Sequence, residues 1–281
     1  MSIKTRVRCS PVGEPTALAY RVLRSPRSAL GERTFGDTFL LVTMRKSGTH
    51  YTMLLLANYL SFHFLGGEER VDFHAMGQEL WNQRKKSAFL DRLRAETGYR
   101  FWLHRHDNSL VRLNNAKTII GTYRNPLDTF VSRYHFWYVN RRVPSVPSID
   151  EAIERDTAAI AGEYADVRAA CARRSGMRVP YERLVRDPLG ALGEMLDFAG
   201  IERDGDDEQR AVEAAAARHI ARDEERYCPD GGNLVGHNMT AGFIRSGRVG
   251  EWKEFLTHGQ RQRIEELLAG YRISLDEFVL E

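Results

Sequence analysis

A chain of 281 residues is long enough to bury one large core, and 42% hydrophobic with 28% charged side chains excludes a disordered or fibrous polymer. A formal net charge of +3 is too mild to announce a nucleic-acid partner, so none is expected, and any anion site has to come from local clusters of basic residues. Cys9, Cys171 and Cys228 are odd in number and far apart, which gives neither a disulfide framework nor metal-ligand spacing.

In chain order, residues 1–36 carry Pro11, Pro15 and Pro26 among many arginines and read as an irregular N-terminal arm, with the folded domain expected over 37–281. The first residues hold charges but no apolar h-region, and no later stretch reaches the ~18 apolar residues of a membrane span. Together with the scattered cysteines, this predicts a cytoplasmic protein. TFLLVTM (38–44) is a compact apolar run, the pattern of a parallel strand buried on both faces. The polar loop RKSGTH follows at once, and YTMLLLANYLSFHF then has helical length and strong helix formers.

QELWNQRKKSAFLDRLRAETG predicts a helix and YRFWLH a short strand. KTIIGTYR (117–124) repeats the strand pattern and runs into Asn125 and Pro126, with Pro126 suited to the first position of a helix PLDTFVSRYHFWYV. Ser148 and Glu151 form a capping box ahead of IDEAIERDTAAIAGEYADVRAACARR, and Gly176 before MRVPYERL signals a return to strand. PLGALGEMLDFAGI is helical by pattern, IERDGDDEQR reads as an acidic solvated turn, and 208–222 as an alanine-rich helix. The glycine-rich CPDGGNLVGHNMTAGFIRSGRVG is a long loop of the kind that carries function, and QRQRIEELLAGYRIS closes the chain as an amphipathic helix. Strands alternating with helices predict a single α/β domain built on a central parallel β-sheet flanked by helices.

Three segments carry the chemistry. TMRKSGTHY (43–51) places Lys46, hydroxyls and Gly48 between a buried strand and a helix N-terminus, where backbone N–H groups and the helix dipole attract anions. It is not a Walker A loop, because the lysine precedes the glycine. TYRNPLDTFVSRYHF (122–136) puts Arg124 at a strand's carboxyl end and Ser132 two helical turns on; the planar guanidinium suits a phosphate, and an Arg124–Asp128 ion pair is the structural alternative. FIRSGRVGEWKEFLT (243–257) adds Arg245, Ser246 and Gly247. Each segment alone fits an ordinary polar loop; three together suit a ligand with separated charges, at the strand ends where open α/β sheets bind.

In order and wording, the segments resemble those of the cytosolic sulfotransferases that use 3′-phosphoadenosine 5′-phosphosulfate (PAPS). That family carries TYPKSGTTW-like, RNPxDxxVSxYHF-like and RKGxxGDWKxxFT-like stretches, against TMRKSGTHY, RNPLDTFVSRYHF and RSGRVGEWKEFLT here; YERLVRDP similarly resembles its YEDLxxDP. The resemblance spans about residues 38–257 and implies a P-loop-like sulfotransferase fold that takes PAPS, releases PAP and needs no metal.

By position it puts Lys46 at the phosphosulfate bridge, with Arg45, Ser47, Gly48, Thr49 and His50 lining the 5′-phosphate loop. Arg124, Ser132, Arg245, Ser246 and Gly247 fall on the 3′-phosphate contacts, and Tyr51 and Tyr181 on adenine contacts. HRHDN (104–108) falls on the family's catalytic histidine stretch, so His106 is expected as the base with His104 as its rival. Met44 and Arg45 stand in place of the family's Tyr-Pro, and Ser246 in place of a lysine. The family's dimer motif survives only as Lys253 and Thr257, which leaves the oligomeric state open.

The expected partner is a small-molecule acceptor with a hydroxyl or amine, with Phe136 at an apolar pocket position. Two other readings share the grammar of strand, phosphate loop and helix. A small-molecule kinase would want a lysine after the glycine and an acidic Mg²⁺ ligand at a strand end, and neither is evident. A non-catalytic PAP or nucleotide binder would keep the cradle without transfer.

Overall fold

The computed structural model describes residues 38–67, 70–72, 88–98, 100–105, 116–140, 145–173, 175–227 and 246–278. The N-terminal arm, most of the predicted helix before Ala88, and the glycine-rich stretch 228–245 lie outside them.

The first strand, β1 (Thr38–Thr43), leads through a five-residue loop into α1 (Thr49–Leu65). α2 (Ala88–Thr97) precedes β2 (Arg100–Arg105), and β3 (Ala116–Tyr123) runs into α3 (Pro126–Tyr134). The strands β1, β2 and β3 and a fourth, β4 (Met177–Pro180), pair in parallel in the order β2-β1-β3-β4.

This order explains the near-continuous apolar run of β1, a central strand covered on both faces. Leu41, Ile120 and Val179 point into one core with α1 and the later helices, while Leu40, Val42 and Ile119 point into the other with α3 and the long α4 (Ile149–Arg173). Gly121 shows how close the second layer sits: a Cβ there would run into Cys171 and Val167 of α4. No helix among the described residues is long and apolar enough to cross a membrane.

α4 begins with the capping box expected from sequence: Glu151 N–H donates to Ser148 Oγ (3.2 Å) and Ser148 N–H to Glu151 Oε2 (2.9 Å). Elsewhere the boundaries move. MRVP is strand, but YERL is not: Tyr181 opens α5 (Tyr181–Arg186), since Pro180 has no N–H to continue the ladder. α6 (Pro188–Ala199) matches the pattern. The acidic turn instead starts a helix, α7 (Gly205–Ala214), because Asp204 accepts from Asp207 N and three acids occupy the positive first turn. The alanine-rich stretch is accordingly broken after Ala214, and α8 spans Ala217–Tyr227. The short α9 (Trp252–Phe255) and α10 (His258–Ala269) close the described chain, followed by a 3₁₀ turn at Leu275–Phe278. After α3 the backbone widens to a π-helical turn, His135–Val139.

Candidate active site

Register places the four strand ends together. Thr43 lies beside Thr122, Tyr123 beside Pro180, and Val42 beside Arg105, so the chain leaves every strand on one carboxyl edge. That edge carries the loop 44–48, the Arg124–Asn125 corner, and the start of α5.

The first loop is tightly curled. Lys46 (φ 67°) and Gly48 (φ 78°) are both left-handed, a conformation that is strained for a lysine and free for a glycine. Between them Ser47 is buried, its hydroxyl donating to Met44 O (2.6 Å) and lying 3.2 Å from Thr122 Oγ1, so the loop is fixed onto β3. Both the amide and the hydroxyl of Ser47 are thus bonded inside the fold. Gly48 precedes α1 as its N-cap and brings no side-chain cap, and among the described residues Thr49 Oγ1 is buried there without a hydrogen bond. A Cβ on Gly48 would collide with the Tyr181 ring, which closes one side of the loop.

Lys46 Nζ rests 4.0 Å from the centroid of the Phe136 ring, which the π-helical turn carries. Arg45 turns to α4, where its backbone N–H and guanidinium both donate to Glu163 (2.9 Å each). His50 and Tyr51 occupy the first turn of α1, both half-buried. Burial, reinforced by the nearby Tyr181, pushes the Tyr51 hydroxyl up to about 12.

At the second corner, Arg124 is 5% exposed and its Cζ lies 4.5 Å from the centroid of the Tyr181 ring. Its Nη2 donates to Arg248 O (2.8 Å), while Nε makes no hydrogen bond among the described residues. The ion pair with Asp128 exists but is long, 3.7 Å. Asp128 has a closer use: it accepts from Gly250 N (2.7 Å) and Trp252 N (3.2 Å). Tyr181 donates to Gly247 O (2.8 Å), and Ser246 Oγ donates to Glu251 while accepting from Arg248 N. The segment 246–252 is therefore strapped across Arg124, α3 and Tyr181.

Glu182 accepts from Asn125 N (3.0 Å), and burial raises its carboxyl above the ordinary carboxylate value despite that bond and nearby Arg124. Ser132 is half-buried on α3, with no bond to Arg124 among the described residues. His104 is the penultimate residue of β2; His106 and Arg245 lie outside the described residues. Sequence reasoning passed over Asp128 as a strap anchor, Glu182 as a brace of the corner and Glu163 as a partner of Arg45. Their acidity was the available signal, yet their partners are distant in the chain.

The described residues fit a ligand with two separated phosphates. Near the α1 start and at Arg124, buried donors (Thr49 Oγ1, Arg124 Nε) lack an acceptor, which is uncommon in a folded interior. Phosphate oxygens would satisfy both. A family model described as the sulfotransferase domain matches residues 36–270. The chain is a member of the sulfotransferase-domain family.

Among this family's members, sulfotransferase 6B1 of Danio rerio is 29% identical over 182 residues, 61% of this chain and 59% of the relative. The alignment thus spans little more than half of that relative's length. Mouse sulfotransferase SULT7A1, solved with PAP, superposes with a TM-score of 0.60 at 20% identity, covering 90% of this chain and 91% of the other. Retinol dehydratase, solved with androsterone and PAP, gives a TM-score of 0.60 at 14% identity over 91% and 86%. At these identities the likeness carries the sulfotransferase fold, a single α/β domain.

Proposed function

We propose that the chain transfers a sulfuryl group from PAPS to the hydroxyl or amine of a small-molecule acceptor. The observation that carries this reading is the pairing of two anion-ready corners on one sheet edge, each with a buried donor lacking an acceptor among the described residues. The family membership and the PAP held by the structural neighbours support it.

PAPS, when bound, supplies an activated sulfuryl group. The loop 45–50 would hold its 5′-phosphate, with Thr49 Oγ1 and the uncapped helix start as donors. Arg124, Ser132, Arg245, Ser246 and Gly247 would hold the 3′-phosphate, and Tyr51 and Tyr181 would flank the adenine. Lys46 would leave the Phe136 ring for the bridging oxygen, where negative charge grows as the S–O bond breaks. Phe136, 9% exposed and touching Lys46, would wall the acceptor side. His106, with His104 as its rival, would take the acceptor's proton as its oxygen or nitrogen bonds to sulfur.

Transfer of ³⁵S from labelled PAPS to a panel of phenols, alcohols and amines tests the reaction, with calorimetry of PAP and ATP alongside. Labelled product and a clear preference for PAP are expected, and His106→Ala should abolish transfer while leaving PAP affinity near wild type. ATP binding as tight as PAP, or no transfer to any acceptor despite PAP binding, would reject the assignment; the second outcome marks a binder.

A further inference from the structure

We propose that Glu163, on α4, is a positioning residue that holds the phosphate loop in its binding shape through Arg45. The inference rests on the sulfotransferase reading only for the ligand that the loop serves. One carboxylate gathers three contacts from two distant elements. Oε2 accepts from Arg45 N and Oε1 from Arg45 Nη1, each at 2.9 Å, and Arg133 Nη1 of α3 lies 3.2 Å from Oε1. The Glu163 side chain is 17% exposed and that of Arg133 only 7%, so their ion pair is poorly screened by solvent, while the Arg45 guanidinium, on a side chain 47% exposed, reaches in from the surface.

Position in the loop gives the contacts their meaning. Lys46 sits left-handed at φ 67°, and such a residue persists only where its surroundings over-determine it. Its two neighbours do this. Ser47 is bonded to Met44 O and lies beside Thr122 of β3, while Arg45 is bonded to Glu163 of α4. Lys46 is thus held between one anchor on the sheet and another on the helix layer.

A proline at position 45 would fix φ and bring no N–H to satisfy. Arg45 brings both a freer backbone and a donor, and Glu163 answers both needs. No local rule of sequence pairs the two residues, which stand 118 positions apart.

The test uses the full chain. Because Glu163→Ala alone leaves the buried Arg133 charge unpaired, it is combined with Arg133→Met, and Arg133→Met alone is the reference. Hydrogen–deuterium exchange of the ligand-free protein is read at residues 44–52 and, as an internal standard, in α6. Loss of the anchor removes both Arg45 bonds, of which the exposed guanidinium contact counts for little, and should speed exchange of the loop about tenfold, the change expected for the backbone bond, with α6 unchanged. PAP affinity by calorimetry should fall by a similar factor.

Equal acceleration in loop and α6, or none in the loop, overturns the proposal, as does a loosened loop with unchanged PAP affinity. If the parent protein does not bind PAP, the donor assignment fails, while the exchange comparison still decides whether Glu163 holds the loop.

Discussion

Arg124 makes several of the contacts that shape the second corner. It is buried, stacked on Tyr181, tied to the strap at Arg248 O, and keeps one N–H without an acceptor among the described residues. Arg124→Ala should weaken PAP binding by ~1.5–3 kcal/mol, the range for a hydrogen bond to a charged group, as calorimetry would show. Glu182 gives a pH signature. Burial holds its folded pKa above the ordinary 4.5, so the stability contributed by its neutral form is fully present below that value and is lost as pH rises through the raised one. Urea unfolding at a series of pH values from about 4 to about 7 should therefore show wild type losing stability relative to Glu182→Gln; parallel curves would contradict the assignment. Lys46, Gly48 and Arg124 stand out in the sequence because charge and glycine placement are local facts. Asp128 and Glu182 do not, because their partners, Gly250, Trp252 and Asn125, come from other elements or other corners.

Secondary-structure elements follow local rules where the local chemistry is strong. Asn125 caps α3 by accepting from Leu127 N, Pro126 takes the first turn, and both are readable in RNPLD. Asn125→Ala should cost about 1 kcal/mol in chemical denaturation, since that orphan amide loses its acceptor. Where a pattern is ambiguous, the packing partner decides instead. VPYERL has strand-like residues, yet Tyr181 turns into α5 and places its ring against Arg124 and over Gly48. The break between α7 and α8 likewise falls within a stretch of high alanine propensity, where Ala211, Ala214 and Ala215 are buried in the core that α1 shares.

On the scale of the whole molecule, the sheet order puts the first loop and the Arg124 corner on neighbouring strands, and 246–252 ties the second corner to Tyr181. A ligand spanning both corners binds only the folded chain. PAP at 100 times its dissociation constant should therefore add about 2.7 kcal/mol to stability, visible as a rise in the thermal midpoint. ATP, which lacks the 3′-phosphate, should add much less.

The sequence alone determined the α/β alternation, the family and the three segments proposed to hold anions, because strand patterns, caps, glycines and basic residues act over a few neighbouring positions. Tertiary structure alone decided which of them touch. The strap on Asp128, the anchoring of Arg45 by Glu163, and the placement of Tyr181 against both Arg124 and Gly48 join residues dozens of positions apart. Such contacts form only once the parallel sheet has brought its strand ends to a common edge and buried the charges that must then find partners.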